Sequence, residues 1–361
     1  MTTDVSMPDI ILRAAVSDRC NYSCVYCPRK EDGTPIMENG DPRYLGHKDL
    51  STKEYIPVLK EIQEYFQIKT VSFTGGEPTL NPELKEISEI AHKIFETVEI
   101  TTNGSTFDSM KIIGYLSKMN LVKVSLTPYL THTGNNEHTS FHTPQSITEA
   151  IRKLQKNGVN VSFNLIVMKS NLSQIKDIIR FSRKLDVPLH LLDLVFYPSN
   201  RSFWEEQFIP LDSMKGTFEK IYGKPELIKR YGCTFFGFDT DDIYTRFKDS
   251  KSATTRSIYC DTCEEYCQEG PYGLKLSTTG WITACPSINK EKGTYILTNP
   301  KIKNLESKSF ELHQMFRNTR KDSKSFYKFL QHWQLNPKNM TLSSSHIMQL
   351  LNNSQSKSGG N

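Results

Sequence analysis

The chain has 361 residues, 37% of them hydrophobic and 24% charged, which is enough apolar material for one large domain or two smaller ones. No apolar run reaches the roughly 18 residues that cross a bilayer. The opening MTTDVSMPDI lacks the basic and apolar regions of a secretory signal, so the expected setting is cytoplasmic with no membrane partner. The net charge of +5 is spread along the chain, which argues against a nucleic-acid partner.

A strand is expected over 10–16 (IILRAAV), running straight into CNYSCVYCPRK at 20–30. A helix follows over 51–66, with Ser51 or Thr52 as its N-cap. A strand over 69–74 ends in GGEP, and a helix over 82–95 opens with Pro82. Strands over 98–102 and 121–126 come next, the first ending in Asn-Gly. A helix over 145–157 closes at Gly158, a strand runs over 159–168, and an amphipathic helix over 171–185 has Asn171 near its start. A sixth strand covers 188–197. Six strands alternating with helices imply parallel βαβ units that curl fully or partly into a barrel. Chemistry then belongs on loops at the C-terminal ends of the strands, and the cysteine loop, GGEP, TTNG and SLTP all fall there. Beyond about residue 210 the pattern loosens. Residues 228–259 are polar and aromatic with no clear period, 303–333 read as helical, and SSSHIMQLLNNSQSKSGGN reads as a frayed tail. The expected division is a barrel over 1–222, a C-terminal unit over 223–340 and a flexible tail over 341–361.

In a reducing compartment clustered cysteines more often bind metal or do chemistry than form disulfides. Cys20, Cys24 and Cys27 supply three thiols with no local fourth. A closed zinc tetrahedron wants four ligands, whereas a four-iron cluster on three thiolates keeps one iron open for a substrate or cofactor. Spacing alone leaves both open. Cys260, Cys263, Cys267 and Cys285 can likewise close a zinc site or hold a four-iron cluster completely. The stretch from Leu274 to Cys285 reads as a hairpin turned at Thr279 and Gly280, and Cys233, outside both groups, as a small buried thiol.

DRCNYSCVYCP, then SFTGGEPTLNPEL, TTNG at 101–104, SL at 125–126 and FNLIVMKSN at 163–171 together resemble the radical S-adenosylmethionine (SAM) superfamily over residues 9–200. The resemblance implies an α/β enzyme built on a partial (βα)6 TIM barrel with a C-terminal auxiliary iron–sulfur domain. Cys20, Cys24 and Cys27 would be the catalytic loop, ligating a 4Fe–4S cluster whose open iron chelates SAM. An electron from a donor such as flavodoxin or ferredoxin would then cleave SAM, and the 5′-deoxyadenosyl radical would take hydrogen from a substrate. The same resemblance puts Tyr26 near the adenine, lets the backbone at Gly75 and Gly76 approach the methionine end, and has Glu77 accept from its amino group. Asn103 and Ser125 would bond the methionine, ribose or neighbouring groups. A hairpin ending in a cysteine resembles the twitch and SPASM auxiliary domains, which would make Cys260, Cys263, Cys267 and Cys285 ligands of a second 4Fe–4S cluster.

The overall plan is similar to the GTP 3′,8-cyclases of molybdopterin biosynthesis, through LRAAVSDRCN, SFWEEQFIPL at 202–211 and the LKLSTTG hairpin. Those enzymes hold a triphosphate with several cations. Here Arg13 keeps one, but two basic positions are Ser72 and Ser162, and the hairpin's Arg pair is Gly273 and Lys275. Arg13, Thr102 and Lys275 are the substrate-side candidates. The expected substrate is therefore a ribosomal peptide or a small biosynthetic intermediate other than GTP. A divergent GTP cyclase is the alternative within enzymes, and a non-catalytic zinc-binding scaffold the alternative outside them.

Overall fold

The computed structural model describes residues 10–22, 24–27, 51–129, 144–230, 233–240, 242–253, 255–256, 260–261, 268, 270, 273–278, 280–284, 293–295, 320–321, 324–340 and 342–352. The first strand, β1 (Ile11–Ser17), alternates: Leu12, Ala14 and Val16 are buried in the main core, and Arg13 and Ala15 face the other way. The same period-two logic runs through β2 (Thr70–Gly75), β3 (Thr97–Thr102), β4 (Leu121–Ser125), β5 (Asn160–Val167) and β6 (Leu189–Asp193). These six strands pair in parallel in chain order, so one face collects Val71, Phe73, Ile100, Val122 and Phe163 in the core.

Helices α1 (Thr52–Phe66), α2 (Leu84–Ala91), α3 (Met110–Leu116), α4 (Gln145–Lys156) and α5 (Ile175–Leu185) connect the strands. Ser51 caps α1, and its N–H and hydroxyl both donate to Glu54. The expected helix over 82–95 is shorter and starts at Leu84. Asn81 holds the preceding turn open, donating to the Val16 carbonyl at 2.6 Å and accepting from the Glu83 N–H at 2.8 Å. Asn171 lies in a 3-10 turn before α5, where it spans the Ile166 carbonyl and the Met168 N–H. β6 ends at Asp193, well before residue 197. The Leu194 carbonyl leaves the ladder to accept from Trp204 at 2.8 Å and from Gln268 at 3.0 Å. Helix α3 lies outside the sequence expectations; its cue is Ser109, whose hydroxyl accepts from the Ile112 N–H.

After α6 (Arg201–Gln207) and α7 (Asp212–Tyr222) the sheet continues on both edges. The segment expected to lack a period forms an antiparallel meander, β7 (Glu226–Arg230), β8 (Cys233–Thr240) and β9 (Ile243–Lys248), and β9 adds in parallel to β6. Its alternation is carried by the buried Phe236, Phe238 and Phe247, of which Phe238 and Phe247 pack with Phe218 of α7. A short helix, α8 (Ser250–Ala253), and strand β10 (Thr255–Arg256) follow. At the other edge β11 (Gly273–Leu276) adds in parallel to β1, followed by the antiparallel β12 (Trp281–Thr283) and β13 (Gly293–Tyr295). The order is β13-β12-β11-β1-β2-β3-β4-β5-β6-β9-β8-β7, a curled half-barrel. β14 (Arg320–Lys321) pairs separately with β10.

Of the helical expectation over 303–333, the part before Lys324 lies outside the described residues apart from β14, and α9 (Ser325–His332) is present. Its Phe326 and Phe329 join Trp204 and Phe208 in a second apolar cluster over the ends of β5 and β6. The tail expected to fray instead forms α10 (Ser344–Asn352), because Ile347 and Leu351, one helical turn apart, bury against α7 and the 3-10 turn at 169–174. Among the described residues no helix is long and apolar enough to cross a membrane.

Candidate active site

The cysteine loop leaves β1 at its C-terminal end and doubles back through a turn closed by the Cys27 N–H on the Cys24 carbonyl at 2.9 Å. Cys20, Cys24 and Cys27 are half-buried thiols outside any disulfide. The loop's entry is clamped onto the end of β2: the Gly76 N–H donates to the Ser17 carbonyl and the Glu77 N–H to the Arg19 carbonyl, each at 2.7 Å. This contact explains the two glycines. A Cβ on Gly75 would lie 2.2 Å from the Ser17 oxygen, and one on Gly76 would lie 2.1 Å from the Arg19 oxygen. The close approach that the sequence predicts is thus made by the chain's own backbone.

Glu77 is buried, and its carboxylate accepts four bonds from this chain. Donors to Oε1 are the Thr79 N–H (3.1 Å), the Thr79 hydroxyl (2.5 Å) and the Thr102 hydroxyl (2.7 Å); Oε2 takes the Asn103 N–H at 2.6 Å. Burial pushes its pKa up, and these donors oppose that shift. Thr102, expected on the substrate side, sits on the core side of β3 and bridges Glu77 to the Gly104 N–H. Strand alternation puts Thr101 on the opposite face instead.

Asn103 is also held. Its Nδ2 donates to Asn21 Oδ1 at 3.1 Å and lies 4.0 Å from Cys20 Sγ, while its Oδ1 accepts from the Ser105 N–H at 2.8 Å. Its carbonyl accepts from the Tyr129 hydroxyl. Tyr26 is packed against the second apolar cluster, with its hydroxyl by Cys24 and Thr127; burial and Cys24 push its pKa up. Ser125 ends β4 on the lumen side, between the core residues Val124 and Leu126. Arg13 and Lys275 are register partners on β1 and β11. Asp18, just before the loop, accepts from the Thr278 hydroxyl at 2.6 Å, tying the loop to the β11–β12 hairpin.

Three thiols on one loop, none in a disulfide, with an amide facing one of them and an aromatic wall, fit an iron–sulfur cluster whose ligands come from a single segment. Among the described residues no three Cys, His, Asp or Glu side chains gather around a single-ion position. Of the second group, Cys260 is a half-buried thiol outside any disulfide, and Cys263, Cys267 and Cys285 lie outside the described residues. Cys233 opens β8, with its side chain outside the described set.

Residues 15–182 match the model of the Radical SAM superfamily. The chain carries a radical SAM domain. The chain is 26% identical to a GTP 3′,8-cyclase of Listeria welshimeri over 294 residues, covering 76% of this chain and 78% of that one. A probable GTP 3′,8-cyclase of Pyrococcus horikoshii is 25% identical over 76% of this chain and 82% of its own length. Among solved structures, histidine-tagged anSMEcpe with bound AdoMet superposes with a TM-score of 0.52 at 14% identity, covering 95% of this chain and 99% of that one. Streptococcus suis SuiB bound to S-adenosylmethionine gives 0.52 at 13% identity over 83% of this chain, which spans 66% of SuiB. These two likenesses bear on the fold. Radical SAM enzymes carry a 4Fe–4S cluster and bind SAM.

Substituting Glu77 by glutamine tests its place in the loops. The amide would turn an N–H toward one of the four donors, so the ligand-free chain should lose about 2 kcal/mol in urea denaturation. A side chain whose only partner was SAM would leave that midpoint unchanged.

Proposed function

We propose that this radical SAM enzyme abstracts hydrogen from a ribosomal peptide or a small biosynthetic intermediate. In this reading a second 4Fe–4S cluster on Cys260, Cys263, Cys267 and Cys285 binds the substrate or accepts an electron. When bound, the first cluster and SAM supply a 5′-deoxyadenosyl radical, with the electron coming from a flavodoxin- or ferredoxin-like donor. Cys20, Cys24 and Cys27 would hold that cluster, and the single observation carrying the proposal is that all three thiols, none in a disulfide, come from the one loop clamped over the Gly-Gly turn. Asn103 would steady Cys20 through its side-chain amide, and Tyr26 with the aromatic cluster behind it would keep water from one side. Ser125 would meet the SAM ribose or methionine from the lumen side.

The auxiliary cluster draws support from two anchors beside its cysteines. Gln268, next to Cys267, donates to the Leu194 carbonyl and accepts from the Phe196 N–H at 3.0 Å, and Ala284, next to Cys285, is fully buried. A divergent GTP 3′,8-cyclase is the second reading, favoured by the names of the relatives.

Anaerobic reconstitution followed by iron counting tests both sites. About eight irons per chain are expected, four at each site. About four irons with one zinc would remove the auxiliary cluster. No iron would remove the whole reading.

A further inference from the structure

The cysteine loop and the loop after β3 are joined by a side-chain latch, although β2 lies between the strands that carry them. The Ser105 N–H donates to Asn103 Oδ1 at 2.8 Å. A backbone N–H can only donate, so it fixes which way round the Asn103 amide sits. Nδ2 is thereby turned to the other side, where it donates to Asn21 Oδ1 at 3.1 Å and faces Cys20 Sγ at 4.0 Å. Asn21 is held in turn by the Ser105 hydroxyl, which accepts from Asn21 Nδ2 at 2.8 Å and donates to Oδ1 at 3.1 Å. One backbone donor thus orients two amides and points a hydrogen at a cysteine sulfur.

The latch also uses up what Asn103 can give. Its backbone N–H goes to Glu77 Oε2 at 2.6 Å, and its carbonyl accepts from the Tyr129 hydroxyl. The two amide hydrogens go to Asn21 and toward Cys20. The residue is buried, with no donor left over for a bound molecule.

An electron added to a 4Fe–4S cluster places negative charge on its sulfurs, and an N–H aimed at one of them favours the reduced form. A buried donor acts more strongly, because the local dielectric is low. We propose that Asn103, aimed by Asn21 and Ser105, raises the reduction potential of the cluster on the cysteine loop instead of binding SAM. Asn103 touches the cluster's ligand, whereas Asn21 and Ser105 act through it as positioning residues. The role depends on the cluster proposed for Cys20, Cys24 and Cys27.

The test is an anaerobic redox titration of the reconstituted full-length enzyme without SAM, followed by the electron paramagnetic resonance of the reduced cluster. The Cys24→Ala chain supplies the background of any other cluster. Asn103→Ala should make the loop cluster about tenfold harder to reduce, the worth of one hydrogen bond to a charged group, or about 59 mV for one electron. Asn21→Ala, a change at an exposed side chain, should move the potential the same way by less. Because Asn21 acts through Asn103, the double variant should sit no lower than Asn103→Ala alone. SAM affinity of the oxidised enzyme, measured by calorimetry, should be the same in the parent and in Asn103→Ala. Unchanged potentials in both single variants overturn the proposal, and so do additive shifts in the double variant. A loss of SAM affinity in Asn103→Ala would overturn it by returning the residue to SAM. Should Asn103→Ala fail to load iron, Asn21→Ala alone decides, since that change leaves the Ser105 bond to Asn103 in place. A parent chain without iron would remove the radical reading itself.

Discussion

Cys24→Ala should reduce the release of 5′-deoxyadenosine to background when the reconstituted enzyme is mixed with SAM and a strong reductant. The loop offers three thiols, so removing the central one would leave two ligands for the proposed cluster, which takes three. The fold should survive the change. Cys24 is half-buried in a loop outside the strands and helices, and its one described backbone bond, from the Cys27 N–H to its own carbonyl, does not involve the thiol. The circular dichroism spectrum and the thermal midpoint of the unloaded chain should therefore match the parent. Release of 5′-deoxyadenosine that persisted in this variant would show that the cluster is held elsewhere.

Gly76→Ala should cost stability and iron together. The added Cβ would lie 2.1 Å from the Arg19 carbonyl oxygen, 2.6 Å from its carbon and 3.0 Å from the Asp18 oxygen. All three are backbone atoms on the segment that enters the cysteine loop, so no side chain can rotate away. Relief requires moving that segment and stretching the 2.7 Å bonds from Gly76 to Ser17 and from Glu77 to Arg19. An overpacked site of this kind costs about 3 kcal/mol. Gly158→Ala is the control. Its φ is +77°, yet a Cβ there meets nothing within 4 Å, so only the backbone preference is lost, about 1 kcal/mol. Urea denaturation and iron content of the two variants should separate clearly. Equal losses would mean that the contact between β2 and the cysteine loop is not what the glycine serves.

Residues close together in the chain are the legible ones. The three cysteines, the Gly-Gly turn and the six alternating strands are local patterns, and local patterns survive folding whatever surrounds them. The glycines are legible for a related reason: their need for close approach is visible, although the partner is the Ser17–Arg19 backbone. Glu77 is legible as well, but its four donors come from Thr79, Thr102 and Asn103, and their convergence depends on where two strands end relative to each other. The tail reads as frayed because a nine-residue helix, Ser344–Asn352, is marginal by itself and gains its order by burying Ile347 and Leu351.

The sequence alone determined the parallel α/β half-barrel and the position of the thiol loop on it, since both follow from period-two and period-3.6 patterning with turn signals between. Which cationic side chains share the lumen face was decided by tertiary structure. Arg13, Lys123, Arg246 and Lys275 are separated by more than a hundred residues at two of their three intervals by chain order, and β-register makes them neighbours around one lumen. The same holds for Asp18 and Thr278, 260 residues apart and joined at 2.6 Å. Hydrogen-bond register acts across the sheet, and no window along the chain contains it.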